Sequence, residues 1–296
     1  MSRQTSPSAH AAYGITRVLR AWDLSRSTFY AQQLRRRQPA TGRRGRTPTL
    51  DDAALLAQIR LVIAESPFHG EGHRKIWARL RVLKGVRTSR RRVLRLMRLA
   101  ELLGPARQPA PVVEHLHEGT IVTDQPNVMW GTDATAAVTL VDGAATIFAA
   151  IDHCTAECVG IHAARHGDRF EALEPLRQGV RDHFGGLAAT AADGLAIRHD
   201  HGSVYLSGDF QAELRFLGMT SSPAFVRQPE GNGCIERFFR TLKEQLLWVR
   251  HFATIEDLRD ALLAFKETYN RDWLIERLGY RSPTQARQAF AVRTAA

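Results

Sequence analysis

The apolar residues of this 296-residue chain change their spacing near residue 126, and that change fixes the class of fold. Ahead of it, apolar positions recur at helical spacing. "ITRVLRAWDLSRSTFYAQQLRRR" (15–37) predicts two short helices about a tight turn, with Ile15, Val18, Leu19 and Trp22 on one face and Ser25 or Ser27 capping the second helix. "LDDAALLAQIRLVIAES" (50–66), "GHRKIWARLR" (72–81) and "VRTSRRRVLRLMRLAELLG" (86–104) predict three more helices. The last starts near Ser89, stops at Gly104-Pro105, and offers Val93, Leu94, Leu96, Met97 and Leu99 to a core.

Past residue 126 the runs become strand-like: "VMWGTDATAAVTL" (128–140), "ATIFAAID" (145–152) and "CVGIHAA" (158–164), the first two joined around "VDG", a hairpin signal. A helix pattern over 168–184 contains Pro175, which is expected to kink it. A strand (195–200), a helix (209–218), a short strand (219–225) and two longer helices (231–249 and 255–270) follow. A three-strand meander followed by alternating helices and strands is an α/β layout, preceded here by all-α segments. The expected divisions are 1–40, 50–105, 126–286 and a tail, 287–296. "QPATGRRGRTPT" (38–49) reads as a basic linker and 105–125 as a connection.

Charge separates the same regions. Residues 1–110 hold 23 Lys plus Arg against 6 Asp plus Glu, and residues 111–296 hold 18 against 24. A front part at +17 joined to a remainder at −6 suits a polyanion-binding half joined to something else, and nucleic acid is the first candidate. A fragment beginning at residue 111 is therefore expected to fold without the front part. No run of apolar residues is long enough to span a bilayer, the first residues lack the apolar run expected of a secretory signal, so none is expected, and three cysteines are too few for a disulfide framework. These features point to a reducing cytoplasm.

Carboxylates mark the chemistry. An acid inside an apolar strand costs free energy unless it is paired or metal-bound, which singles out Asp133 and, as a competitor, Asp152. Asp200 ends a strand between His199 and His201, where a turn, a zinc site or one carboxylate of a magnesium site are the alternatives. If the strand continues, the two imidazoles point to opposite sides, which makes them poor joint zinc ligands. On the helix expected over 231–249, Ile235, Phe239, Leu242 and Leu246 form an apolar stripe, and Glu236, Arg240 and Lys243 share an adjacent edge.

The stretches "WGTDAT" (130–135), "IRHDHGSVYLSGDF" (197–210), "PEGNGCIERFFRTLKEQL" (229–246) and "YNRDWLIERLGYRSPTQA" (269–286) together resemble the integrase-type core of DDE transposases. Among these they resemble the OrfB product of bacterial insertion sequences of the IS-three family. "LSRSTFY" (24–30) resembles that family's short helix-turn-helix, and "FHGEGHRKIWARLR" (68–81) its second helical domain. The resemblance implies a ribonuclease H-like core, a mixed five-stranded sheet with helices, behind helix-turn-helix DNA-binding segments. The acidic triad falls on Asp133, Asp200 and Glu236, the last two 36 positions apart as is typical of the family. These three would hold Mg²⁺ or Mn²⁺, as two ions, since oxygen ligands suit hard cations. DNA is expected to meet Lys243 and Arg240 beside the triad. It should also meet Arg26, Ser27 and Thr28 at the head of the second helix, His73, Arg74 and Lys75, and Arg90, Arg91 and Arg92. The implied activity is cleavage and strand transfer at terminal inverted repeats by a homo-oligomer, with an upstream OrfA product as a further partner. A regulatory derivative without catalysis and a ribonuclease H-type nuclease are the rival readings.

Overall fold

The computed structural model describes residues 3–37, 49–104, 121–224 and 232–294, and the chain divides into two units, Met1–Thr49 and Leu50–Ala296. In the first unit, α1 (Ile15–Ala21) and α2 (Arg26–Arg37) form a helical pair. Ser25 caps α2 by accepting from the Thr28 amide at 3.1 Å, and its hydroxyl also contacts those of Ser27 and Thr28. Arg26, Ser27 and Thr28 are exposed. Of the expected apolar face, only Leu19 is fully buried, and Trp22, just past the end of α1, is 61% exposed. Most of the basic linker lies outside the described residues.

The second unit opens with three helices, α3 (Asp52–Glu65), α4 (His73–Val82) and α5 (Arg90–Leu99). Asp51 caps α3 through the Ala54 amide and Ser89 caps α5 through the Arg92 amide. Leu55, Ile59, Val62, Ile76, Leu80, Val93, Leu96 and Met97 form their shared core. α5 ends earlier than its sequence predicts. Glu101 turns the chain with a φ of 56°, and the Leu102 amide bonds back to the Met97 carbonyl at 2.9 Å. Leu99 is consequently 72% exposed instead of packed, and Leu102 takes a place against the core.

The sheet is built from β1 (Met129–Thr139), β2 (Gly143–Asp152) and β3 (Cys158–Ala164) as an antiparallel meander. α6 (Glu174–Phe184) leads to β4 (Ala196–His199), and α7 (Ser203–Leu206) and α8 (Gly208–Phe216) lead to β5 (Thr220–Pro223). β4 pairs in parallel with β1, and β5 with β4, giving the order β3-β2-β1-β4-β5. This is the ribonuclease H-like fold. Pro175 does not kink α6. It stands in the helix's first turn, where a missing N–H leaves no hydrogen bond unmade. One sheet face packs Phe148, Trp130 and Ile197 against Leu176, Val180, Phe210 and Leu214. The other packs Ile147, Ala149 and Ile151 against α9 (Gly233–Leu242) and α10 (Ile255–Asp272), through Ile235, Phe238, Leu242, Leu258 and Leu262. Among the described residues no helix is long and apolar enough to cross a membrane.

Two expected boundaries are corrected. Residues 287–294 are no loose tail, because α11 (Pro283–Thr294) runs through them and its Arg287 pairs with Glu157 and reaches Asn127 Oδ1 at 3.1 Å. Nor is the helical part separable from the sheet. Buried Arg79 binds buried Glu71 through two hydrogen bonds, at 2.6 and 3.0 Å, and donates to the Asp272 carbonyl at 3.2 Å. Phe68 meets Trp273 edge to face, Trp77 meets Tyr280 likewise, and Leu274 completes the three-helix core. A fragment starting at 111 would leave these rings without their partners, and this packing argues against the expectation that it folds alone.

Candidate active site

β1 and α9 meet through a tight joint. Gly131 has no side chain to hold them apart: a Cβ there would lie 2.6 Å from Asn232 Oδ1 and 2.7 Å from His153 Nε2. Asn232, the residue before α9, donates to the Thr132 carbonyl at 3.2 Å. The next residue on the strand is Asp133, and one turn into the helix is Glu236. Ile235, Phe238, Phe239 and Leu242 bury the back of α9, which leaves Glu236 and Arg240 exposed on its other side. On the neighbouring strand Arg198 pairs with Gly131, so Asp200, two residues further on, comes level with Asp133.

A cleft of about 340 Å³ is lined by Asp133, Ala134, Thr135, Glu236, Phe239, Arg240, Lys243 and Trp248. Burial pushes the Asp133 carboxyl up to about 6; the Ala134 amide opposes this, the Asp200 and Glu236 charges add to it, and Lys243 opposes it. Asp200 is thus close enough to act on Asp133 by charge, but it does not line the cleft, and its Oδ1 accepts from the Gly202 amide at 2.8 Å. Among the described residues no three His, Cys, Asp or Glu side chains stand together as a ready metal cage. Asp133 and Glu236 are brought together, with Asp200 beside them.

The competitors are accounted for. Asp152 is fully buried and accepts from the Asn127 amide and from the amide and hydroxyl of Thr155, with Arg287 3.7 Å away. It is a structural carboxylate. His199 is buried, with its ring nitrogens 2.6 Å from the Asp200 carbonyl and 2.8 Å from Ser221 Oγ, which leaves neither for zinc. Three residues of the expected DNA-facing set have partners within the chain. The Lys75 ammonium lies over the Trp273 ring. Arg90 binds Glu276 at 3.0 Å and covers Trp77 and Tyr280, and Arg92 binds Asp52 and the Leu50 carbonyl at 2.8 and 2.7 Å. These cations are held by partners distant in sequence. Arg91 and Arg74 are exposed, Arg74 with Glu276 at 3.9 Å, and His73 is half-buried, its pKa lowered by burial and then by nearby arginines.

The helix that carries Glu236 is not regular to its end. After Leu242 the backbone widens into a π turn, Lys243–Leu247, closed by the Trp248 amide donating to the Lys243 carbonyl at 2.9 Å. Ile235, Phe239 and Leu242 of the expected stripe are buried, and Leu246 is only partly so. Gln245, in the turn, accepts from the His69 amide at 2.8 Å and donates to the His69 carbonyl at 2.9 Å. Gly131, Asn232, Gln245 and Trp248 were not singled out by the sequence. The Asn-Gly pair ahead of the helix was a signal for the second, and nothing in the apolar spacing announces a π turn.

Residues 49–110 match the family model for an HTH-like domain and residues 217–283 that for an integrase core domain. Among curated proteins the chain is 29% identical over 285 residues to a transposase InsD for the insertion element IS2 of Escherichia coli, covering 92% of this chain and 90% of that one. It is also 29% identical to an uncharacterized 48.2 kDa protein of the insertion element IS2A from the same organism, of which it spans 66%. Among solved structures, a simian T-cell lymphotropic virus intasome aligns over 78% of this chain and 74% of its own at 16% identity and a TM-score of 0.47. The HTLV-2 integrase catalytic core in complex with magnesium aligns over 55% of this chain and 98% of its own, at 16% identity and a TM-score of 0.42. The likeness to an insertion-element transposase thus runs along nearly the whole of this chain, and within it an HTH-like match precedes an integrase core match.

Proposed function

We propose that the chain is a DNA transposase of an insertion sequence, of the IS-three family OrfB type. It is a DDE polynucleotidyl transferase that binds terminal inverted repeats, cleaves a phosphodiester and joins the freed 3′-hydroxyl to another. The observation that carries this reading is one cleft holding Asp133 and Glu236 beside Arg240 and Lys243, with Asp200 just past the end of the strand paired with β1 and acting on Asp133 by charge.

The donor set fits a hard divalent cation, because Asp133, Asp200 and Glu236 offer oxygen alone and their mutual repulsion leaves a deficit of positive charge. Mg²⁺ or Mn²⁺, as two ions, would be held by these three carboxylates. Bound there, such ions supply Lewis-acid stabilisation of phosphate charge and a more acidic attacking hydroxyl or water. The protein's own groups do the rest. Arg240 and Lys243 line the same cleft as Asp133 and Glu236 and hold the backbone phosphate. Arg91 and Arg74 offer exposed cations, and Arg26, Ser27 and Thr28 an exposed helix head, for capture of the DNA end. The chain acts in the bacterial cytoplasm as a homo-oligomer on paired ends, with target DNA and an upstream OrfA product as further partners.

The test is incubation of the full chain with its element's two ends and Mg²⁺, with mapping of new 3′ ends and joined products. Asp133→Asn, Asp200→Asn and Glu236→Gln should each abolish both. Cleavage without joining would make the protein a ribonuclease H-type nuclease. End binding without either step would make it a regulatory derivative.

A further inference from the structure

Trp248 is 71% exposed, yet it forms part of the wall of the cleft that holds Asp133, Glu236, Arg240 and Lys243. A large apolar ring left in water beside paired charges calls for a reason, since burial of such a ring is among the strongest stabilising contributions a side chain makes. Its position depends on the π turn. In an unbroken α-helix, at about 100° per residue, Trp248 would stand roughly 140° around the axis from Lys243. The π turn spreads the five steps from Lys243 to Trp248 over about one circuit, and brings the indole back to the side of Lys243. Gln245 pins that turn through both of its bonds to the His69 backbone. Ala134 and Thr135, which also line the cleft, are small.

The cleft therefore presents acids for the reaction, cations for a phosphate, and an open aromatic face a short step beyond. A planar apolar group carried on a phosphate chain fits all three, and that is a nucleobase out of its stack. We propose that Trp248 is a base-stacking residue: it takes the face of an unpaired nucleobase next to the phosphate held by Arg240 and Lys243, and so keeps the DNA open at the reacting position. This rests on the reading of the chain as a DNA transposase. The base comes from the element end or from target DNA, and the chemistry of recognition is the same for both.

The test uses the full-length protein and short duplexes carrying 2-aminopurine, either at a frayed terminus or opposite an internal gap that stands in for opened target. A blunt, fully paired duplex is the reference. Wild type should prefer the opened duplexes and quench 2-aminopurine by stacking. Quenching at the terminus identifies the element end, and quenching at the gap identifies the target. Trp248→Ala should weaken binding to the opened duplex by about tenfold and abolish the quench while leaving the blunt duplex and the melting temperature unchanged. Trp248→Phe should restore most of the preference. A Trp248→Ala protein that keeps both preference and quench would overturn the inference alone, as would equal losses on blunt and opened DNA. A wild-type protein that binds none of the duplexes would overturn the transposase reading and this inference with it.

Discussion

Asp133 is held against its own preference. With its carboxyl raised to about 6, mainly by burial, the ionised form is disfavoured in the fold relative to the unfolded chain. The sign follows directly: the cost is absent below the unfolded pKa, grows as pH rises, and is complete above about 6. Asp133→Asn should therefore stabilise the metal-free protein by about 1–3 kcal/mol at pH 8, and the gain should vanish as pH falls toward 4. Thermal melts at several pH values check this. Mg²⁺ should raise the melting temperature of wild type and leave that of Asp133→Asn nearly unmoved. Buried histidines act in the opposite sense. His153, His183 and His199 all have pKa values lowered chiefly by burial, His183 to about 4. They stay neutral while the unfolded chain takes up protons, so stability should fall as pH drops from 6.5 toward 4, and His183→Gln should shrink that fall in urea titrations. At this scale an apolar strand pattern disclosed Asp133, whereas Asp200 and Glu236 were assigned through the family resemblance. It did not separate Asp133 from Asp152, whose amide and hydroxyl donors are invisible in a string of letters. It likewise could not say that Lys75, Arg90 and Arg92 are taken by Trp273, Glu276 and Asp52.

The five strands are legible from apolar runs and hairpin signals because a strand's period of two and a helix's 3.6 differ plainly. The end of α5 and the π turn are not, since each depends on local backbone geometry that the pattern does not encode. The β1–α9 joint makes this scale testable. Gly131→Ala would drive a methyl group into Asn232 and His153, displacing the start of α9 and with it Glu236. Cleavage should be lost, with about 1–3 kcal/mol less stability by chemical denaturation. Gln245→Ala removes two hydrogen bonds to His69 at a cost of roughly 1–2 kcal/mol, and should lower turnover more than end binding. Equal loss of both on gel shift and kinetic assay would place Gln245 in stability alone.

For the molecule as a whole, charge suggested a detachable basic front, and packing says otherwise from residue 50 onward. Phe68, Arg79, Trp77 and Lys75 from the helices engage Trp273, Asp272 and Tyr280 from the far end of the chain. A fragment of residues 50–296 should unfold in one calorimetric transition, whereas 111–296 should aggregate or bind a hydrophobic dye. The linear order of the chain hides this, because the two sides of the contact lie some two hundred residues apart.

That contact bears on how such a protein could acquire a new address on DNA. The helices of residues 52–99 and the stretch 272–280 fit each other ring by ring, yet the sheet and the helices that cover it lie between them in the gene. A single crossover between two related elements, falling anywhere in that interval, would inherit one half of the fit from each parent. Such hybrids should be unstable even when both parents work, and a functional exchange of end recognition would require two crossovers that carry both stretches together.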